Sequence, residues 1–257
     1  PGNDMRFYVE RCEAMRNFAN KLWNASRYVM MNLQEGVNYD LPAAEKLEIA
    51  DKWVLSKLNS LIAEVTENME SYELGVAIQK IYDFIWDIYC DWYIEMTKAR
   101  LFSDDADRKQ TAISVLTYVL DQVLRLLHPF MPFITEEIWQ ALPVEEEAIM
   151  TARFPAFDSK LCFNAGAEKM EHIMETIKAI RNRRAEMNVP PSKKADLYIE
   201  TTFADTFAAG VPFLQRLASA AEVHVGESFD VPGAVSIVTA AATIKIPMDA
   251  LVDKAAE

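Results

Sequence analysis

The chain has 257 residues, 51% of them hydrophobic, with a formal net charge of −13, seven glycines and three cysteines. That length has room for one large domain or two smaller ones, because a single core is usually complete within about 100–200 residues. Sparse glycine, with neither G-x-G-x-x-G nor G-x-x-x-x-G-K-S/T present, argues against a nucleotide-cradling catalytic core, and the acidic balance argues against broad nonspecific nucleic-acid binding while leaving room for a local basic face.

Residues 5–33 have a helical period and stop near Gly36, a C-terminal signal. After Pro42, the run 43–70 repeats apolar residues at Trp53, Leu58, Ile62, Val65 and Met69, which predicts a second long helix. Tyr72 to Phe102 is the most aromatic stretch and is apolar on nearly all sides, so it is expected to be the central, most buried helix. Residues 106–127 predict a fourth helix, which HPFMP breaks, and Ile134 to Leu142 a short fifth. Long helices with short polar connections pack as an antiparallel helical bundle. The fold class is therefore mainly α over residues 1–145, with a connector at 146–166 and a small α/β domain at 167–247. Within that domain the pattern reads helix 167–187, strand DLYIET, helix 203–220, then strands AEVHV, AVSIVT and ATIKI. Cys12, Cys90 and Cys162 form no C-x-x-C and read as reduced core residues. No apolar run of about 18 residues spans a membrane, and no signal pattern precedes the helices, so the cytoplasm is the expected compartment.

The first helix carries an unusual stripe in RNFANKLWNASRY. At 100° per residue, Ala14, Met15, Phe18, Ala19, Leu22, Ala25, Val29 and Met30 form one apolar arc, which is expected to be core. The opposite arc collects Arg16, Asn17, Asn20, Lys21, Asn24, Arg27 and Tyr28, so Tyr28 is expected to face water. An aromatic face beside amides and cations suits unpaired bases of loop RNA: the ring stacks, asparagine reads a base edge, and a cation meets phosphate or a base oxygen. The same pattern also suits a plain solvated bundle face, and periodicity does not separate the two.

RNFANKLWNASRYVMMN, DKWVLSKLN, DFIWDIYCDWYIEMTK, LLHPFMPFITEEIWQALP and IRNRRAEMNVPPSKK stand in this order, and together the strings resemble the anticodon-binding region of the valyl-tRNA synthetase family, class I aminoacyl-tRNA synthetases. The likeness runs through the α/β tail, to about residue 250. Isoleucyl and leucyl enzymes share the HPFMPF-type turn and the bundle, whereas N-K-L-W-N-A-S-R and C-D-W-Y look specific to the valine enzyme. The resemblance implies that Lys21 contacts the anticodon, that Tyr28 stacks on an anticodon base where phenylalanine is usual, and that Ile94 lies against the same loop; the helical stripe adds Asn17, Asn24 and Arg27 as candidate anticodon contacts. Glu10 is in line with Lys21 and Tyr28 and is acidic where a base would suit RNA. HIGH and KMSKS are absent, so the chain alone should not aminoacylate. It reads as a C-terminal fragment whose start follows the catalytic core and whose residues 248–257 begin the family's C-terminal coiled coil. The implied partners are tRNA(Val) and the catalytic and editing domains of the same chain, with no membrane partner, no cofactor in the fragment, ATP for the parent enzyme, and a monomeric state.

Outside the bundle, KAIRNRRAEMNVPPSKK gathers Lys178, Arg181, Arg183, Arg184, Lys193 and Lys194. With Arg16, the residues Lys178, Arg181, Arg184, Lys193 and Lys194 are the candidate phosphate contacts, set against the alternative of a solvated helix end where cations suit the macrodipole. Glu136-Glu137 and Glu145-Glu146-Glu147 read as a solvated face, His128 as a turn residue, and Trp86, Trp92 and Tyr93 mostly as core, with only the margin of that cluster available to RNA.

Overall fold

One long helix and a composite helical rod face each other through a buried carboxylate. In the computed structural model, which describes residues 7–247, α1 spans Val9–Met30, α2 Ile49–Glu70, α3 Leu74–Asp83, α4 Ile94–Leu101, α5 Ala106–Leu127 and α6 Pro132–Trp139. Between α3 and α4 the chain stays helical but widens into a π-helical stretch, Phe84–Tyr93, closed by the Ile94 N–H donating five residues back to the Tyr89 carbonyl. The segment 248–257, expected to open a coiled coil, lies outside the described residues.

α2 starts at Ile49 rather than just after Pro42, because Glu48 and Asp51 form a reciprocal capping box. Asp51 does more than cap. Fully buried, it accepts from Arg100 Nη1 at 2.7 Å, Arg100 Nη2 at 2.5 Å, Tyr93 Oη at 2.6 Å and the Glu48 N–H at 2.9 Å. Burial alone would lower the Arg100 pKa, but the hydrogen bonds and charge of Asp51 prevail and raise it. Burial, then the Asp51 charge, raises the Tyr93 phenol well above its usual value.

Paired residues fix the directions. Asp51 meets Arg100 and Glu64 meets Lys80, so α2 runs against the third rod; Phe18 meets Tyr82 and Lys21 meets Asp91, so α1 runs along it. The long rods thus alternate up and down, as a helical bundle requires. The most buried rod is α5 rather than the aromatic segment Tyr72–Phe102: thirteen of its 22 residues are buried. Aromatic density lowers the exposure of a face only where something packs on it, and Tyr72 and Phe102 stay exposed.

The stretch expected as a connector is held against α2 up to Phe163, where this first unit ends. It carries 3-10 turns at Ile149–Thr151 and Ser159–Leu161. Asn59 donates to the Asp158 carbonyl at 2.8 Å and accepts from its N–H at 2.9 Å, and the Phe163 N–H donates to Ser56 Oγ at 2.7 Å. Cys12 and Cys162 are exposed, contrary to the core expectation, and only Cys90 is partly covered.

The second unit comprises α7 Asn164–Glu186, β1 Ala195–Glu200, α8 Ala204–Leu217, β2 Ala220–Gly226, β3 Ala234–Val238 and β4 Thr243–Pro247. The sheet order is β2-β1-β4-β3, with β1 and β2 parallel and β4 antiparallel to both neighbours. Leu197, Ile199, Ile244, Ile246 and Ile237 are its buried row, following the two-residue strand period. Gly210 allows α8 to approach α7: a Cβ there would lie 2.8 Å from Ile173 Cδ1.

Candidate nucleic-acid interface

The C-terminal half of α1 folds as its period predicts. Phe18, Leu22, Ala25 and Val29 are buried, joined by Ser26, whose Oγ donates to the Leu22 carbonyl at 2.8 Å. The N-terminal half does not. Ala14 and Met15, expected in the core, are exposed, Met15 at 52%, because every residue from Phe7 to Asn17 is exposed and no described element covers that turn. A helical projection says which face is apolar; it does not say whether anything lies against it.

On the opposite side Arg16, Asn17, Asn20, Asn24 and Arg27 are all exposed, and none forms a side-chain hydrogen bond or ion pair with another described residue. Their donors and acceptors are turned to solvent along one stripe. Glu10 sits in the first turn, where the positive end of the helix macrodipole favours an acid, and this accounts for its place in line with the stripe.

Lys21 and Tyr28 differ from these. Lys21 Nζ donates to Asp91 Oδ1 at 2.6 Å and rests 3.7 Å from the centre of the Trp86 ring. Trp86 stacks in turn on Tyr82, centroids 5.7 Å apart at 12°, and Tyr82 leans on Phe18 at 4.6 Å. The Cys90 thiol beside this seat is pushed up to about 12, chiefly by burial; Lys21 opposes the rise and Asp91 adds to it. Tyr28 does not project freely into water. It is half-buried, its hydroxyl is out of contact with solvent, and Lys98 Nζ, paired with Glu95, stands 5.7 Å from its ring centre. What it offers a ligand is part of its ring rather than its hydroxyl. Ile94 is 6% exposed, so in this conformation it supports the surface from beneath and presents almost none of it.

Asp91 and Lys98 were not evident as site neighbours from the sequence, and Trp86 only as part of a cluster whose margin is open to RNA. In an α-helix, residues five apart diverge by about 140°. Trp86 and Asp91 are five apart within the π stretch, whose i→i+5 bonding brings them to one side, around Lys21. Nothing in the residue pattern announces that wider turn.

The second cation-rich segment is largely committed to folding. Arg184 is 6% exposed, and Nη2 donates to the Pro190 carbonyl at 3.1 Å and to that of Lys193. Its expected phosphate contact is therefore withdrawn: desolvation lowers its pKa, and its donors close the turn after α7. That turn has the left-handed Asn188, φ 53°, and the Val189 N–H returning to the Arg184 carbonyl at 2.9 Å, a helix stop ahead of Pro190-Pro191. Arg181 Nε donates to the Leu217 carbonyl at 2.6 Å, at the end of α8, and Arg183 pairs with Glu186 at 3.2 Å. Lys178 and Lys194 are exposed, and Lys193 is half-buried.

The remaining candidates are structural. His128 Nδ1 lies 2.8 Å from Thr135 Oγ1 across the HPFMP turn, and Glu136 Oε1 accepts from Gln140 Nε2 at 2.7 Å. Trp92 and Tyr93 are buried, while Trp86 is half-covered. Among the described residues, no helix is long and apolar enough to cross a membrane.

Residues 51–199 match the family described as the anticodon-binding domain of tRNA ligase. Across 98% of its length the chain is 50% identical to a valine–tRNA ligase of Clostridium tetani, and across its whole length 48% identical to that of Clostridium perfringens. It spans only 29% and 30% of those two relatives. A solved ternary complex of the Agrobacterium radiobacter K84 agnB2 LeuRS with tRNA and LeuAMS overlaps 62% of the chain and 18% of that protein, at 18% identity and a TM-score of 0.48.

Proposed function

Since the chain belongs to the family of anticodon-binding domains of tRNA ligases, we propose that it is the part of a valine–tRNA ligase that grips the anticodon stem-loop of tRNA(Val). The parent enzyme would attach valine with ATP in its catalytic region, and this chain would supply recognition only. One observation carries the reading: the exposed side chains of Arg16, Asn17, Asn20, Asn24 and Arg27, which have no partner among the described residues, lie on the same helix as Tyr28 and Lys21. Unpaired amides and guanidinium groups in a row match the donors and acceptors of unstacked bases and their phosphates. Lys21 and the ring of Tyr28 form the partly covered end of that row, with Ile94 beneath.

Fluorescence anisotropy with labelled stem-loops tests this. A stem-loop carrying a valine anticodon should bind at least about tenfold more tightly than an anticodon-swapped one, the scale of one or two good base contacts. Lys21→Ala and Tyr28→Ala should erase most of that difference while leaving the helical circular dichroism intact. The Lys21–Asp91 ion pair favours a second reading, in which the stripe meets another protein surface; equal binding of both stem-loops would select it.

A further inference from the structure

Lys21 is the one stripe cation held in a fixed position by described partners, and the arrangement that holds it is unusual. Its ammonium has three N–H donors. One is bonded to Asp91 Oδ1 at 2.6 Å, and the group rests over the face of Trp86 at 3.7 Å, where the ring quadrupole attracts a cation. The Lys21 side chain keeps 24% of its exposure and that of Asp91 51%, so the seat lies open at the surface. The π-helical turn is what brings Trp86 and Asp91 to the same side, and Tyr82 backs the indole from its stacked position.

An exposed ion pair of this kind contributes little to stability. A carboxylate is also a poor neighbour for RNA, since it repels phosphate. Both facts point away from a role in folding or in raw affinity. A lysine on a flexible stem, left free, pairs with any phosphate in reach; a lysine pinned by a carboxylate and an indole restricts where its remaining donors point.

Resting on the anticodon-binding reading, we propose that Asp91, together with the Trp86 ring beneath Lys21, is a specificity-determining positioning residue that holds the Lys21 ammonium for a base acceptor and keeps it from indiscriminate phosphate contact. Asp91 discriminates by repulsion as well: a loop that presents phosphate rather than a base oxygen at Lys21 meets a negative charge.

The test uses the 257-residue chain with Asp91→Asn, Asp91→Glu and Trp86→Leu. In the Asp91→Asn variant, anticodon-swapped stem-loops should bind about two- to fivefold more tightly, as expected on removing one nearby repelling charge. The valine stem-loop should gain less, so the discrimination ratio falls, and the salt slope should steepen by roughly 0.7 as Lys21 takes up a phosphate. Asp91→Glu should restore discrimination in part. A readout independent of RNA accompanies this: after reductive 13C-methylation, the Lys21 methyl signal should be shifted upfield by the Trp86 ring and should return to the ordinary lysine position in Asp91→Asn and Trp86→Leu. An unchanged discrimination ratio and salt slope in Asp91→Asn, or an unshifted Lys21 signal in the parent chain, overturns the proposal. If the unmutated chain binds neither stem-loop, the anticodon reading fails and this inference falls with it; if it discriminates but Asp91→Asn does so equally well, only the inference fails.

Discussion

Two segments of this chain are rich in cations, and the structure uses them in opposite ways. Along α1, Arg16 and Arg27 stand exposed beside asparagines whose side chains have no partner among the described residues. At the end of α7, Arg184 is buried on the Pro190 and Lys193 carbonyls and Arg181 is bonded to the Leu217 carbonyl. The difference lies in what surrounds each helix. α7 ends in a tight reversal that turns the Pro190 and Lys193 carbonyls toward Arg184, and a guanidinium with five fixed donors is suited to close it. The middle of α1 has its backbone fully paired within the helix, so its polar side chains remain available. Counting positive charge locates both segments; only the local demand for donors tells them apart.

Breaking the comparison from the folding side should have the largest effect. Arg184→Ala removes a buried side chain and the donors it gives to the Pro190 and Lys193 carbonyls, and should cost about 1–3 kcal/mol, read by urea denaturation, while leaving the affinity for an anticodon stem-loop unchanged. Selective loss of RNA binding without loss of stability would return Arg184 to the phosphate-contact role withdrawn from it above.

On the other side, Tyr28→Ala should weaken stem-loop binding by about 1–3 kcal/mol, the scale of one base stacked on an aromatic ring. Tyr28→Phe should stay close to the parent, because the hydroxyl is already turned away from solvent. A large loss in the phenylalanine variant would mean the hydroxyl is the reading group.

How much of this was legible beforehand differs between the fold and the site. The extent of α5, 106–127, could be read to the residue, since Asp105 caps its start, accepting from the Arg108 N–H at 3.0 Å, and the proline after His128 ends it. The strands of the second unit were equally plain from their β-branched runs. Three features were not. The π stretch leaves no mark in residue periodicity, so the clamp of Trp86 and Asp91 on Lys21 stayed hidden. The exposure of Met15 depends on whether another element lies over it, and among the described residues none does; the burial of Arg184 depends on carbonyls several residues downstream.

Smaller effects sharpen the contrast. Arg16→Ala and Arg27→Ala should each shift stability by no more than about 0.5 kcal/mol and flatten the salt slope of RNA binding by roughly 0.7 if each meets one phosphate. The smallest effect is one of reactivity. With its thiol at about 12, Cys90 stays protonated at pH 8, so iodoacetamide should modify the exposed Cys12 and Cys162 first and reach Cys90 only slowly, as peptide mass mapping would show.

The most direct measurement of the central claim is side-chain NMR during titration with a valine-anticodon stem-loop. The account predicts that the carboxamide NH2 signals of Asn17 and Asn24 and the Nε–H signals of Arg16 and Arg27 shift, while the Nε–H signal of Arg184 stays in place. Shifts concentrated at Arg181 and Arg184, with the α1 amides unmoved, would contradict it.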